Sequence, residues 1–80
     1  MKKLLEIIDT DKIYETYKIK TKNALLTRSD FWINIFGTEV KHVKSWSNGD
    51  RLFSEHQRKK VKKLTSLKLK DYIVSVIKIN

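Results

Sequence analysis

Eighty residues with no cysteine limit the chain to one small domain and exclude disulfides and thiolate metal sites. Such a chain buries roughly 60% of its unfolded surface, so its core is thin and a partner subunit would add stability. The net charge of +9 is concentrated in residues 38–70, which hold ten bases and three acids, whereas residues 1–37 hold seven bases and five acids; a block of this kind suits a polyanion, nucleic acid or an anionic membrane surface, although a solvated face is the plainer reading.

Leu4, Leu5, Ile7 and Ile8 have helical spacing over a short segment. The start Met1-Lys2-Lys3-Leu4-Leu5 is like that of a signal peptide, but Glu6, Asp9 and Asp11 interrupt the apolar run, and no stretch has transmembrane length. Nothing demands an oxidising compartment, so a cytoplasmic location is expected. Asp9 or Thr10 can cap a second helix with Ile13, Tyr14 and Tyr17 as its apolar stripe, and these two helices would form an N-terminal support. From Ile19 to Leu26 the pattern fits helix and extended chain equally.

Ser29 is placed as N-cap of a helix over Asp30–Phe36, with Asp30 favouring the helix dipole. This segment is apolar almost all round, so it is expected to be the central buried helix. Gly37 can take the positive φ needed between two sharply crossing helices. The next helix, about Thr38 to Asn48, turns Val43 and Trp46 inward with Val40 on their side; Lys41, Ser45 and Asn48 face out, flanked by Lys44 and His42. Gly49 can end it. The outward side chains suit nucleic acid: lysine approaches guanine acceptors or phosphate, serine a base edge, asparagine base or backbone. An ordinary amphipathic helix accounts for that face as well.

Ser54-Glu55-His56-Gln57 fits a capping box, opening a helix that carries Arg58, Lys59, Lys60, Lys62 and Lys63, with Val61, Leu64 and Leu67 toward the core. These cations, with Arg51 in the preceding turn, can reach phosphates or simply keep the protein in solution. Residues 69–79 match a helical face through Leu69, Tyr72, Ile73, Val76 and Ile77, yet their β-branched richness favours a strand. Either form offers an apolar surface suited to a subunit contact.

Gly37, an aliphatic six residues on (Val43), Trp46 nine on, Asn48-Gly49 and then Ser54, with basic Arg51 between, form a joint spacing. The stretch 26–65 resembles the helix-turn-helix of the phage repressor and Cro type, most specifically in Trp46-Ser47-Asn48-Gly49. It departs from that pattern in four places. Trp32 and Ile33 stand where the first helix usually has a small residue. Leu26–Phe31 matches the usual helix start only with one residue added before Gly37. His42 replaces a small residue, and Phe53 a proline.

The resemblance implies a mainly α, compact helical bundle of one domain, residues 1–80, with the motif at about 29–48 and a supporting helix at about 55–65. Its recognition helix would enter the major groove of double-stranded DNA, with a homodimer on a pseudo-palindromic operator. By position, Lys41, Lys44 and Ser45 would read bases, Asn48 and Arg51 would contact phosphate, and Arg28 and Ser29 would approach the backbone. His42 borders this surface and can donate to a phosphate when protonated. The expected function is a transcriptional regulator of a phage or mobile element, a repressor able to act on its own gene, with no cofactor and no membrane.

Other readings are a DNA-binding module for excision or replication, and a protein-binding adaptor or inhibitor of a host nucleic-acid enzyme. A membrane-surface protein ranks last, because Trp32 and Trp46 read as buried. Catalysis has little support: His42 and His56 lack metal-ligand partners, no acid pair has catalytic spacing, and no Gly-rich phosphate loop occurs.

Overall fold

The computed structural model describes the backbone of residues 3–79 and the side chains of residues 5–76. The signal-like start at Met1-Lys2 and the side chains of Leu4 and Ile77 lie outside that description.

The first segment is a strand, β1 (Lys3–Ile8), where helical spacing had suggested a helix. It pairs antiparallel with β2 (Ile73–Ile79), Leu5 opposite Ile77 and Ile7 opposite Ser75. Four apolar residues cannot sustain a helical turn in water, whereas a β-branched partner strand pairs one backbone edge of each segment. A bulge between Ile7 and Ile8 leaves Val74 without an opposite residue. Just beyond it the Asp9 amide donates to the Tyr72 carbonyl at 2.7 Å, which joins the strand pair to the helices.

Helix α1 (Thr10–Thr21) begins as expected, the Asp9 carboxylate accepting from the Lys12 amide at 3.1 Å. Ile13 and Tyr14 are buried, and Tyr17 packs beside them. The ambiguous stretch from Ile19 is helical as far as Thr21, after which Lys22 (φ 55°) turns the chain away. The Tyr14 hydroxyl donates to the Leu26 carbonyl and ties the following loop down.

The next helical stretch starts at Arg28 and widens into π-type turns over Asp30–Phe36. Ser29 is not its N-cap: its backbone is already helical (φ −60°, ψ −45°), and the Asp30 amide instead donates to the Thr27 hydroxyl at 3.1 Å. At the other end the Gly37 amide donates to the Trp32 carbonyl, five residues back. The wide turns thus run to the end of this helix. They also explain why this helix is not buried all round. An i, i+5 repeat stacks Phe31 and Phe36 on the inner side with Trp32, and Ile33 is left 52% exposed.

Helix α2 (Val40–Asn48) starts two residues later than expected, because Glu39 is extended (φ −67°, ψ 146°). Gly37 (φ 82°) and Gly49 (φ 76°) occupy left-handed conformations on either side of it. Replacing Gly37 with Ala is expected to destabilise the fold by about 1–2 kcal/mol through backbone strain alone. The added Cβ would meet nothing nearer than the Lys60 Nζ at 3.6 Å. Thermal unfolding checks this, with Gly37→Asn expected to cost less because asparagine tolerates the left-handed region.

Helix α3 (Glu55–Thr65) matches the expected supporting helix. Ser54 holds the N-cap position, but no capping box forms: its hydroxyl accepts from no backbone amide and instead donates to the Gln57 side-chain carbonyl. Val61 and Thr65 are buried, and Leu64 and Leu67 pack against the core. The segment 69–79 divides between the two forms its sequence allowed: a single helical turn, α4 (Leu69–Tyr72), runs directly into β2. The fold is thus mostly helical and compact, closed by a two-stranded sheet.

All eight aromatic side chains belong to one connected array. Tyr14 and Tyr17 meet Phe31, which leads through Trp32 and Phe36 to Trp46, then to Phe53 and Tyr72. Most contacts are edge-to-face, the arrangement that ring quadrupoles favour.

Beside Tyr72, the Arg58 guanidinium pairs with the Glu6 carboxylate and links α3 to β1. Burial pushes the Tyr72 hydroxyl above its usual pKa; the Arg58 charge opposes that shift and Glu6 reinforces it. A raised folded-state pKa means that the folded protein holds this proton more tightly. The corresponding stability is therefore complete below about pH 10 and is lost as pH rises through the folded value. Alkaline unfolding titrations should show this loss, and Tyr72→Phe should reduce it.

Candidate nucleic-acid interface

Helix α2 has its apolar side buried and its polar side in solvent. Val43 and Trp46 are buried, and Val40 is half-buried beside them. Lys41, Lys44 and Asn48 are exposed and Ser45 half-buried, so one helix face brings these four together. Arg51, also exposed, follows one turn beyond Gly49. His42 is half-buried on the opposite flank from Val40 and Ser47.

The side chains differ in how free they are. Lys41 makes an exposed ion pair with Glu39 at 3.2 Å, a contact of little strength that another anion can replace. Ser45 donates to the Lys41 carbonyl at 3.1 Å, which leaves its oxygen as an acceptor toward solvent. Lys44, Asn48 and Arg51 have no side-chain hydrogen bond or ion pair among the described residues.

Arg28 and Ser29 come to the same side from the start of the wide helix. With Thr10, Asp11, Lys44 and Ser47 they line a cleft of about 280 Å³, floored by Trp32 and Val43. Arg28 is already engaged there. Its guanidinium bonds Asp11 at 2.9 Å, lies 3.9 Å from Glu15, and sits over the Tyr14 ring. The hydrogen bond and charge of Asp11 raise its pKa further above an already high value, so it stays cationic, with two carboxylates competing for it. Ser47 was not singled out in the sequence. Its i+3 spacing from Lys44 was the signal that places it on the cleft side.

The basic helix α3 divides in an unexpected way. Arg58 is taken by Glu6, and the Lys60 Nζ donates to the Phe36 carbonyl at 2.9 Å, capping the end of the wide helix. Neither is free for a phosphate in this arrangement, contrary to the reading of all five cations as available. Lys59 lies 3.9 Å from Glu55, and Lys62 and Lys63 have no acidic partner among the described residues.

Among the described residues no three metal-ligating side chains form a cluster, and no helix is long and apolar enough to cross a membrane. Comparison of the chain with family models, curated proteins and solved structures gives no match.

Proposed function

We propose that the chain is a sequence-specific regulator that binds double-stranded DNA, with Asp30–Asn48 acting as a helix-turn-helix of the phage repressor and Cro type. The observation that carries this reading is the face of α2. A helix anchored through Val43 and Trp46 presents Lys41, Lys44, Ser45 and Asn48 together, with a three-residue connection to the preceding helix and Arg51 beyond its end. Such a helix, polar, cationic and held by its apolar side, fits a major groove. Lys41, Lys44 and Ser45 are assigned to base edges. Asn48, Arg51 and His42 are assigned to phosphates, as are Arg28 and Ser29 once DNA displaces the carboxylates beside Arg28. The regulator is proposed to repress by occupying a promoter, its own among them. A symmetric dimer is proposed to form through β2, where Val74 is 65% exposed and Val76 52%.

The test is binding of purified protein to the DNA flanking its own gene against a scrambled duplex, at two salt concentrations. Tight binding that survives competitor and leaves a footprint of two half-sites about 34–36 Å apart is expected. Weak, sequence-blind binding that falls steeply with salt would reduce the positive charge to a generic attraction for polyanions and reject the proposal.

A further inference from the structure

A larger cleft, of about 560 Å³, lies between α3 and the segment that follows it. One wall is the helical stripe Glu55, Arg58, Lys59 and Lys62; the other runs from Ser66 to Leu69 and includes Tyr72. The second wall is held in place by its neighbours. Lys20 of α1 hydrogen-bonds the Ser66 hydroxyl at 3.2 Å, and the Leu67 amide donates to the Thr65 hydroxyl at 3.2 Å. A fixed wall spares a ligand the cost of ordering it.

The charges around this cleft are unequal. Arg58 is neutralised by Glu6, and Lys59 lies 3.9 Å from Glu55. Asp71 turns its carboxylate to the Lys68 backbone amide at 2.8 Å. That leaves Lys62 and Lys68, one on each wall, without an acidic side-chain partner among the described residues. Between them the surface is apolar, with Leu67 half-buried, Leu69 38% exposed and Tyr72 beneath. Phosphates alone would use only the two cations. A ligand that carries both carboxylates and aliphatic side chains uses the whole cleft.

No residue of α2 lines this cleft. At 100° per residue, Lys60, which reaches the carbonyl before Gly37, lies about 150° around α3 from the centre of the Glu55–Lys62 stripe. We propose that this cleft docks an acidic segment of a partner protein, seating aliphatic side chains on Leu67, Leu69 and Tyr72 while carboxylates meet Lys62 and Lys68. The inference does not depend on the DNA reading.

The experiment uses the isotope-labelled full chain and a short synthetic peptide in which leucines are set among glutamates. Amide shifts are expected at Lys62 and over residues 66–72, with α2 unchanged. The double variant Lys62→Glu, Lys68→Glu, both at exposed positions, should bind about tenfold more weakly. Leu69→Ser keeps every charge and should also weaken binding, as should an all-glutamate peptide of the same length. Equal binding of the all-glutamate peptide would overturn the proposal, as would shifts centred on α2, displacement of the peptide from these residues by duplex DNA, or no binding at all.

Discussion

Replacing Trp46 with Ala is expected to lower the unfolding free energy by about 3–5 kcal/mol. The indole is 2% exposed and touches Trp32, Phe36 and Phe53, so it joins the rings of the wide helix to those leading into α4. Removing it leaves a cavity at the centre of the array that two helices and a loop must close together. For a domain of this size each kcal/mol corresponds to roughly 4–8 °C, so the melting temperature should fall by at least about 12 °C. Its Nε1 is buried without a hydrogen-bond partner among the described residues. Trp46→Phe should therefore cost less than the loss of ring volume suggests, since it removes an unsatisfied donor. A Trp46→Ala protein with normal melting but no DNA binding would instead assign the ring to a ligand.

Lys44→Ala is expected to weaken binding at the preferred DNA site by about 1–3 kcal/mol, roughly five- to 150-fold, if the lysine reads a base. Lys44 is the most informative cation to change, because it is exposed, has no ion pair among the described residues and lies between the α2 face and the Arg28 cleft. Titrations on the preferred duplex and on variants at single positions distinguish its roles. Relaxed preference at one base pair assigns Lys44 to a base. Uniform weakening on all sequences, with a shallower salt dependence, assigns it to phosphate.

Features that depend on neighbours in sequence were legible before the fold was known. A cap at Asp9 or Thr10, the inward pair Val43 and Trp46, and Gly49 as the end of α2 follow from periodicity and capping chemistry, and Ser54 marks the start of α3 although the capping box read there does not form. The outward face of α2 follows from the same geometry, and with it the grouping of Lys41, Lys44, Ser45 and Asn48. Features set by distant residues were not legible. The apolar spacing of β1 is compatible with a helix until β2 is known to lie beside it. The engagement of Arg58, Lys60 and Arg28 likewise depends on Glu6, Phe36 and Asp11, which are remote in sequence. The wide turns were not legible either: the helix over Asp30–Phe36 follows from the sequence, but its i, i+5 bonding does not.

The pairing of β1 with β2 also orders events in time. Ile8 and Ile73 are partners although 65 residues separate them, so every residue between the two strands must be made before the sheet can form. At about 5–20 residues per second, β1 waits roughly 3–13 s on a translating ribosome for its partner strand. Contacts local in sequence, such as the Asp9 cap and the turns of α1, can form during that interval, whereas closure of so long a loop comes late. Until then both edges of β1 are open to any extended segment nearby. The nascent chain is therefore most prone to mispairing at β1, and the arrival of β2 closes one of its two edges.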